Sequence, residues 1–200
     1  MCVFTKAPVP GRVKTRLIPA LGEARACELY QSLLIRTLTT ACSSTIAQVH
    51  LYCTPTIEHP FLQECADNFN VQLCLQEGED LGARMGNALT AELNEFAYAL
   101  VIGCDCPWLE SADLEMAYAC LAADAEVVLG PARDGGYYLL GLCSAQKNLF
   151  EDMPWGGPTV LKQTRQRLSA AAINWHELTE YPDLDSPEDL PAYEKLLVSN

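Results

Sequence analysis

The chain has 200 residues, a net charge of −13 and hydrophobic residues at half of its positions, which suits one domain over residues 1–200 with a large core. The negative charge excludes nonspecific nucleic-acid binding and attachment to an anionic membrane surface. The chain has no run of about 18 apolar residues, so no transmembrane helix is predicted. The ten cysteines lie in apolar stretches without a C-x-x-C pair, so we expect free thiols in a cytoplasmic protein.

Strand and helix patterns alternate along the chain. Strands are predicted at 2–5, 49–53, 71–75, 98–103, 126–129, 137–142 and 173–175. Helices are predicted at 23–42, 60–69, 81–96, 111–123 and 159–171, with a last helix after Ser186. Ser111 is expected to cap the helix that it opens, and Ser186 begins a capping-box pattern. Strands separated by helices predict a mainly parallel sheet with helices on both faces.

The positive charge of this acidic protein is concentrated in one early loop. Residues 1–22 contain four bases and no acid, whereas residues 23–200 contain nine bases and twenty-six acids, a net charge of −17. The four bases are Lys6, Arg12, Lys14 and Arg16, and Gly11 with two prolines gives their loop a defined shape. Because several cations can share the charge of a polyphosphate, the loop predicts a phosphate site. A solvated loop without a ligand is the alternative.

Carboxylates directly follow two of the other predicted strands. Asp105 comes directly after the predicted strand 98–103, at the end where parallel sheets bind ligands. Asp183 and Asp185 follow the last strand. If these two loops are neighbours, their carboxylates can bind one hard cation such as Mg²⁺ or Mn²⁺. Otherwise Asp105 and Asp185 are ordinary turn residues, the latter just before the Ser186 cap.

Three further segments carry weaker signals. Asp134-Gly135 lies between two apolar runs and is typical of a hairpin, yet the paired glycines could also let a substrate approach Asp134 closely. Arg84 either adds a cation to the phosphate site or is a solvated helix residue. Trp155-Gly-Gly-Pro-Thr159 either shapes an acceptor side or is a turn before a helix.

Five segments in order resemble one family. They are K-A-P-V-P-G-x-V-K-T-R-L, L-G-x-R-M, G-x-D-C-P, D-G-G-Y-Y-L-L-G-L and D-x-D-S/T-P-E-D-L. Together they are similar to the GT-A-type transferases called selenodomain-associated transferases, and more distantly to molybdenum-cofactor and 2-phospholactate guanylyltransferases. The resemblance covers about residues 3–190. It implies the nucleotide-diphospho-sugar transferase (GT-A) fold. This fold belongs to the α/β class and is a three-layer α/β/α Rossmann-like sandwich with a mostly parallel mixed sheet.

The resemblance also implies roles for individual residues. Asp105 is expected to bind the metal, with Asp185 or the neighbouring Asp183 as the second carboxylate. Lys6, Arg12, Lys14 and Arg16 are implied to contact the nucleotide phosphates. From the residues themselves, Gly11 and Arg84 are also expected at the nucleotide, and Lys14, Asp105 and Asp134 are the expected catalytic residues. Prolines replace most of the glycines that guanylyltransferases have in the first loop, so we expect this loop to hold phosphate by its side chains.

The sequence therefore predicts a metal-dependent transferase that uses Mg²⁺ or Mn²⁺, a nucleotide or nucleotide-sugar donor and a small-molecule acceptor. Glycosyl transfer would release a nucleoside diphosphate, and nucleotidyl transfer would release pyrophosphate. A noncatalytic nucleotide-binding sensor or partner protein on the same fold is the alternative. A third and weaker hypothesis is a thiol or redox protein that uses Cys104 and Cys106.

Overall fold

A computed structural model describes residues 1–44 and 47–199. Within them the strands are β1 (Cys2–Lys6), β2 (His50–Thr54), β3 (Gln72–Leu75), β4 (Ala99–Ile102), β5 (Val127–Pro131), β6 (Tyr137–Leu142) and β7 (Trp175–Glu177). They form one sheet of order β3-β2-β1-β4-β6-β5-β7. All neighbours are parallel except β6, which lies antiparallel between β4 and β5. The mostly parallel mixed sheet is therefore confirmed.

Helices cover both faces of this sheet. They are α1 (Ile18–Ser43), α2 (Pro60–Phe69), α3 (Leu81–Leu93), α4 (Ser111–Ala123), α5 (Val160–Ala170) and α6 (Leu190–Ser199). Apolar side chains of α1, α2 and α4 pack in one cluster with Val3, and those of α3 and α5 pack in another with Phe4. Successive strand residues point to opposite faces, so the two clusters form the two interfaces of an α/β/α sandwich.

The cysteines and the helices also bear on two predictions made from composition. All ten cysteines are free, as their apolar surroundings predict. Over residues 1–44 and 47–199, none of the helices has the length and apolarity needed to cross a membrane.

Several predicted element boundaries are wrong. Helix α1 begins before residue 23, and Gly22 interrupts it with a φ of 78°, so the predicted helix is only its regular part. Glu110 rather than Ser111 caps α4, because the Glu110 side chain accepts from the main chain of Asp113 while Asp113 accepts from the Glu110 N–H. Strand β7 begins at Trp175 rather than at residue 173, where its pairing with β5 starts.

An ion pair fixes the edge strand β7 to α5. Arg165 donates from Nε to Glu177 Oε1 at 2.8 Å and from Nη2 to Oε2 at 2.6 Å. The indole of Trp175 donates to the same carboxylate at 3.1 Å. The hydrogen bonds from Arg165 are the main reason that the pKa of Glu177 lies below its ordinary value of 4.5.

We expect Glu177→Gln to lower the free energy of unfolding by about 0.5–1 kcal/mol at neutral pH, a modest value because the pair is partly exposed to solvent. A depressed pKa in the folded state stabilises the protein above the unfolded-state pKa, and this contribution is lost as the pH falls through the folded-state pKa. The free energies of unfolding of both proteins, measured with urea, should therefore converge as the pH falls below the ordinary pKa of 4.5. An equal difference at acidic and neutral pH would show that the ion pair is not its source.

Candidate active site

A cavity of about 620 Å³ lies at the carboxyl ends of β1 and β4. The four loops that the sequence singled out, after β1, after β4, between β5 and β6, and before α6, all line it. Five of its lining residues are basic and four are acidic. The basic ones are Lys6, Arg12, Lys14, Arg16 and Arg84, and the acidic ones are Asp105, Asp134, Asp183 and Asp185. Such mixed charge suits a site that binds cations and anions together.

The Asp105 loop and the loop before α6 are direct neighbours. The N–H of Leu184 donates to the carbonyl of Asp105 at 2.8 Å. Lys14 then joins both loops, since its Nζ donates to the Leu184 carbonyl and lies 2.5 Å from Asp105 Oδ1. Asp185 Oδ1 is 3.9 Å from the same ammonium. The expected convergence of the two carboxylate loops is therefore confirmed.

Lys14 occupies a buried position that its sequence context does not reveal. Its backbone has a φ of 46°, in the left-handed region, directly before a short 3-10 turn at Thr15–Leu17. The neighbouring Val13 packs against Cys27 and Tyr30 of α1. Only 2% of the Lys14 side chain is exposed, and its ammonium contacts the carboxylates and a main-chain carbonyl. It lies within the wall of the cavity rather than free above it.

The other cations of the loop are accessible. Arg16 is 72% exposed and pairs with Asp185 Oδ2. Lys6 and Arg12 are exposed, and among the described residues no carboxylate pairs with either of them. Gly11 provides the turn before Arg12 with a φ of 78°. Two cations of the loop are therefore available to an anion in the cavity.

Asp183 has an unsatisfied carboxylate oxygen. Its Oδ2 is buried and has no hydrogen-bond partner among the described residues. Burial first, and then the nearby carboxylates of Asp134 and Asp105, raise the pKa of Asp183 to about 8. Burying a charge without a partner is costly, so this oxygen suits a cation. Over the described ranges, no three His, Cys, Asp or Glu side chains form a preformed metal cage.

The β5–β6 turn has the hairpin form that Asp134-Gly135 predicts. It connects an antiparallel pair, and Asp134 Oδ1 accepts the N–H of Gly136 at 2.7 Å, as in a compact hairpin turn. The Gly135 carbonyl accepts the N–H of Leu161 at 2.8 Å, which fixes the turn to the start of α5. Asp134 nevertheless lines the cavity, so its carboxylate is also available to a substrate.

An aromatic wall closes the side of the cavity near α5. Trp155 lies edge-on to Tyr137 with ring centroids 6.4 Å apart and stacks on Phe150 at 6.3 Å. Its indole packs directly over Gly82 in the first turn of α3, where an added Cβ would overlap Nε1. Sequence reasoning found the Trp155 segment but missed the role of Gly82, because a glycine in a helix gives no signal of its packing partner.

We expect Gly82→Ala to destabilise the protein by about 1–3 kcal/mol, because the new methyl group must displace Trp155 from a packed position. Gly103→Ala is the matched control, since a Cβ there meets no atom within 4 Å. Chemical unfolding measures both. Equal stability of the Gly82→Ala protein and the wild type would mean that the aromatic wall moves freely.

The structure contradicts the thiol hypothesis for Cys104 and Cys106. Both side chains are buried, with 3% exposure. Burial, as the largest cause, raises the pKa of Cys106 to about 12 and also raises the pKa of Cys104, whose Sγ donates to the Phe4 carbonyl. Reactive thiols need accessibility and a low pKa, so this hypothesis is wrong.

Solved structures with the same fold differ widely from this chain in sequence. A "putative nucleotide-diphospho-sugar transferase" from Desulfovibrio desulfuricans G20 is 27% identical, with a TM-score of 0.84 over 92% of this chain and 81% of that one. A cytidylyltransferase from Leptospira borgpetersenii is 15% identical, with a TM-score of 0.63 over 100% and 86%. Glucosyl-3-phosphoglycerate synthase from Mycobacterium tuberculosis, solved with Mn²⁺ and UDP, is 11% identical. Its TM-score is 0.57 over 96% of this chain and 74% of that one. No curated protein sequence matches this chain.

The fold is that of the nucleotide-diphospho-sugar transferase class, and the charged cavity lies at the carboxyl ends of its strands, where such sheets bind ligands. The chain belongs to the family described as "uncharacterized protein conserved in bacteria (DUF2064)", whose model matches residues 37–157. The matched segment contains the L-G-x-R-M, G-x-D-C-P and D-G-G-Y-Y-L-L-G-L motifs. The basic loop and the last carboxylate motif lie on either side of it, and the fold brings them into the same cavity.

Proposed function

We propose that the protein is a metal-dependent transferase that binds a nucleotide-activated donor in the charged cavity. It transfers either a glycosyl group from a nucleoside-diphosphate sugar or a nucleotidyl group from a nucleoside triphosphate to a small-molecule acceptor. The observation that carries the proposal is the convergence of unpaired cations and an unpaired buried carboxylate on one cavity. Phosphate groups with a divalent cation would satisfy both sets of charges.

The accessible cations are the phosphate-binding groups. Lys6 and Arg12 project from the loop after β1, and their N–H groups can donate to phosphate oxygens. Arg84 uses its Nε to donate to the Gly78 carbonyl at 3.0 Å, which orients a guanidinium that lines the cavity. In either reaction, negative charge grows on the leaving phosphate as its bond breaks. Fixed donors at that place stabilise this charge.

Asp105 and Asp183 would hold Mg²⁺ or Mn²⁺, since oxygen donors suit these hard cations. When bound, the metal would neutralise charge on the phosphate groups. Asp185 is the less suitable second ligand, because Arg16 already pairs with its Oδ2, whereas Asp183 Oδ2 has no hydrogen-bond partner among the described residues. Lys14 acts in this scheme as a positioning residue that holds the two carboxylate loops together.

The acceptor would bind between Asp134 and the aromatic wall of Tyr137 and Trp155. Asp134 Oδ1 is bonded to the hairpin turn, which leaves Oδ2 to orient an acceptor hydroxyl or take its proton. The aromatic rings would exclude water from that side.

Incubation with each nucleoside triphosphate and with common nucleoside-diphosphate sugars, in the presence of Mg²⁺ or Mn²⁺, tests the proposal. Release of pyrophosphate identifies nucleotidyl transfer, and release of a nucleoside diphosphate identifies glycosyl transfer. Metal-dependent nucleotide binding without consumption across a broad set of acceptors would instead identify a noncatalytic nucleotide-binding protein. Absence of both binding and consumption would overturn the proposal.

A further inference from the structure

Strand β1 ends beside an open place in the sheet. Its pairing with β2 continues to Lys6, whereas its pairing with β4 stops at Val3. The N–H of Ala7 donates to the Thr54 carbonyl on the β2 side at 2.8 Å. Successive N–H groups of a strand point to opposite sides, so the N–H of Lys6 points to the β4 side, beyond the end of the described pairing. A backbone N–H at such a place needs another partner.

The side chain of Tyr30 in α1 is that partner. Its Oη accepts the N–H of Lys6 at 2.8 Å and shares a hydrogen bond with Thr5 Oγ1 at 2.9 Å. Tyr30 and Thr5 are both buried, and both line the charged cavity. Burial, as the largest cause, raises the pKa of Tyr30, so the phenol keeps its proton. The hydroxyl therefore fixes the backbone at the point where the basic loop leaves the sheet.

The same face of α1 holds the next part of the basic loop. Cys27 lies three residues before Tyr30 and therefore on the same side of the helix. Its Sγ donates to the Pro8 carbonyl at 3.2 Å, and Val13 packs against both of these side chains. The loop is thus held by α1 at its first residue and at two later points. Of these contacts, the one with Tyr30 acts directly on a lysine that faces the cavity.

The side chain of Lys6 depends on its backbone for direction. It is exposed, and among the described residues no carboxylate pairs with it. A long side chain loses rotamer freedom when it binds a ligand, and this cost rises if the backbone that carries it also moves. Holding the backbone therefore favours binding, since a site is effective only when its groups are kept close to their productive places.

Resting on the proposed function, we propose that Tyr30 is a positioning residue that directs Lys6 towards the phosphates of the donor nucleotide. Its hydroxyl is already bonded to Lys6 and Thr5, so it acts on the ligand through the lysine rather than by contact. Removing the hydroxyl leaves the Lys6 N–H without an acceptor and lets the start of the loop move. The ammonium is then less often at the phosphates, and nucleotide affinity falls.

A double-mutant cycle of Tyr30→Phe and Lys6→Met tests this inference. Calorimetric titration of the wild type with ADP, CDP, GDP and UDP, in the presence of Mg²⁺, first identifies the ligand that binds most tightly. Tyr30→Phe should weaken its binding about threefold. In the Lys6→Met background the same change should cause no further loss, because the group that Tyr30 positions is absent. Losses that multiply, or wild-type affinity in Tyr30→Phe, overturn the inference and leave the proposed function intact. No binding of any nucleotide by the wild type overturns both.

Tyr52→Phe is the matched control. Tyr52 is also buried, and its hydroxyl donates to Glu92 Oε1 at 2.9 Å, but it is not among the described residues that line the cavity. Thermal unfolding should show that both variants are folded, and Tyr52→Phe should keep the wild-type affinity. Hydrogen exchange of the Lys6 amide without ligand should be faster in Tyr30→Phe and unchanged in Tyr52→Phe. Unchanged exchange in Tyr30→Phe, or an equal loss of affinity in Tyr52→Phe, would overturn the positioning role.

Discussion

Replacing Lys14 with Met should weaken nucleotide binding at least about a hundredfold and lower the free energy of unfolding by about 1–3 kcal/mol. The Lys14 ammonium is buried against Asp105 and the Leu184 carbonyl. Removing one partner of such a contact leaves the other charge uncompensated, and the cost is moderated because the Asp105 side chain is 54% exposed. Without Lys14 the two carboxylate loops separate, and the site for an anionic ligand becomes more negative.

Lys6→Met is the matched control for this change. Lys6 lines the same cavity but is exposed and forms no ion pair among the described residues. We therefore expect an unchanged free energy of unfolding and a loss of nucleotide affinity no larger than about tenfold. Isothermal titration and denaturant unfolding measure the two quantities on both proteins. Wild-type affinity in Lys14→Met would contradict the positioning role of this lysine.

Replacing Asp183 with Asn should have effects of opposite sign on stability and on ligand binding. In buffer containing a chelator, the variant should be more stable by about 1–3 kcal/mol, because it removes a buried carboxylate that Asp134 and Asp105 repel. The same variant should lose any stabilisation that nucleotide and metal together give the wild type. A purely structural carboxylate would not produce this combination.

Asp185→Asn provides the comparison for Asp183→Asn. Asp185 pairs with the exposed Arg16, so its replacement should destabilise the protein by no more than about 1 kcal/mol and should leave much of the metal-dependent binding in place. Thermal unfolding with and without Mg²⁺ and nucleotide measures both variants. A less stable Asp183→Asn protein, or one that still binds nucleotide in a metal-dependent way, would remove Asp183 from the metal site.

The layers of the fold follow from patterns visible in the sequence. Apolar periodicity located every strand to within a few residues, and alternation with helices predicted the sandwich. Periodicity could not reveal that β6 lies antiparallel between β4 and β5, because a strand buried on both faces has the same apolar run in either direction. The resemblance of the motifs to a known fold implied a mixed sheet but did not identify its antiparallel strand. The wrong cap of α4 reflects a Glu–Asp pair that reproduces a capping box with unusual residues.

The location of the site was predictable, whereas its internal contacts were not. The rule that ligands bind beyond the carboxyl ends of the strands selected the loops that line the cavity. The sequence could not show that Lys14 turns into the cavity wall, because this depends on a left-handed backbone at one residue.

The central claim is that Asp105 belongs to a site shared by a metal and a nucleotide. Thermal unfolding of the wild type and of Asp105→Asn, each with nucleoside diphosphates in the presence and absence of Mg²⁺, tests it most directly. We expect nucleotide to stabilise the wild type strongly only when Mg²⁺ is present, and we expect Asp105→Asn to lose this effect. Equal stabilisation by nucleotide with and without the metal, unchanged in Asp105→Asn, would contradict the claim.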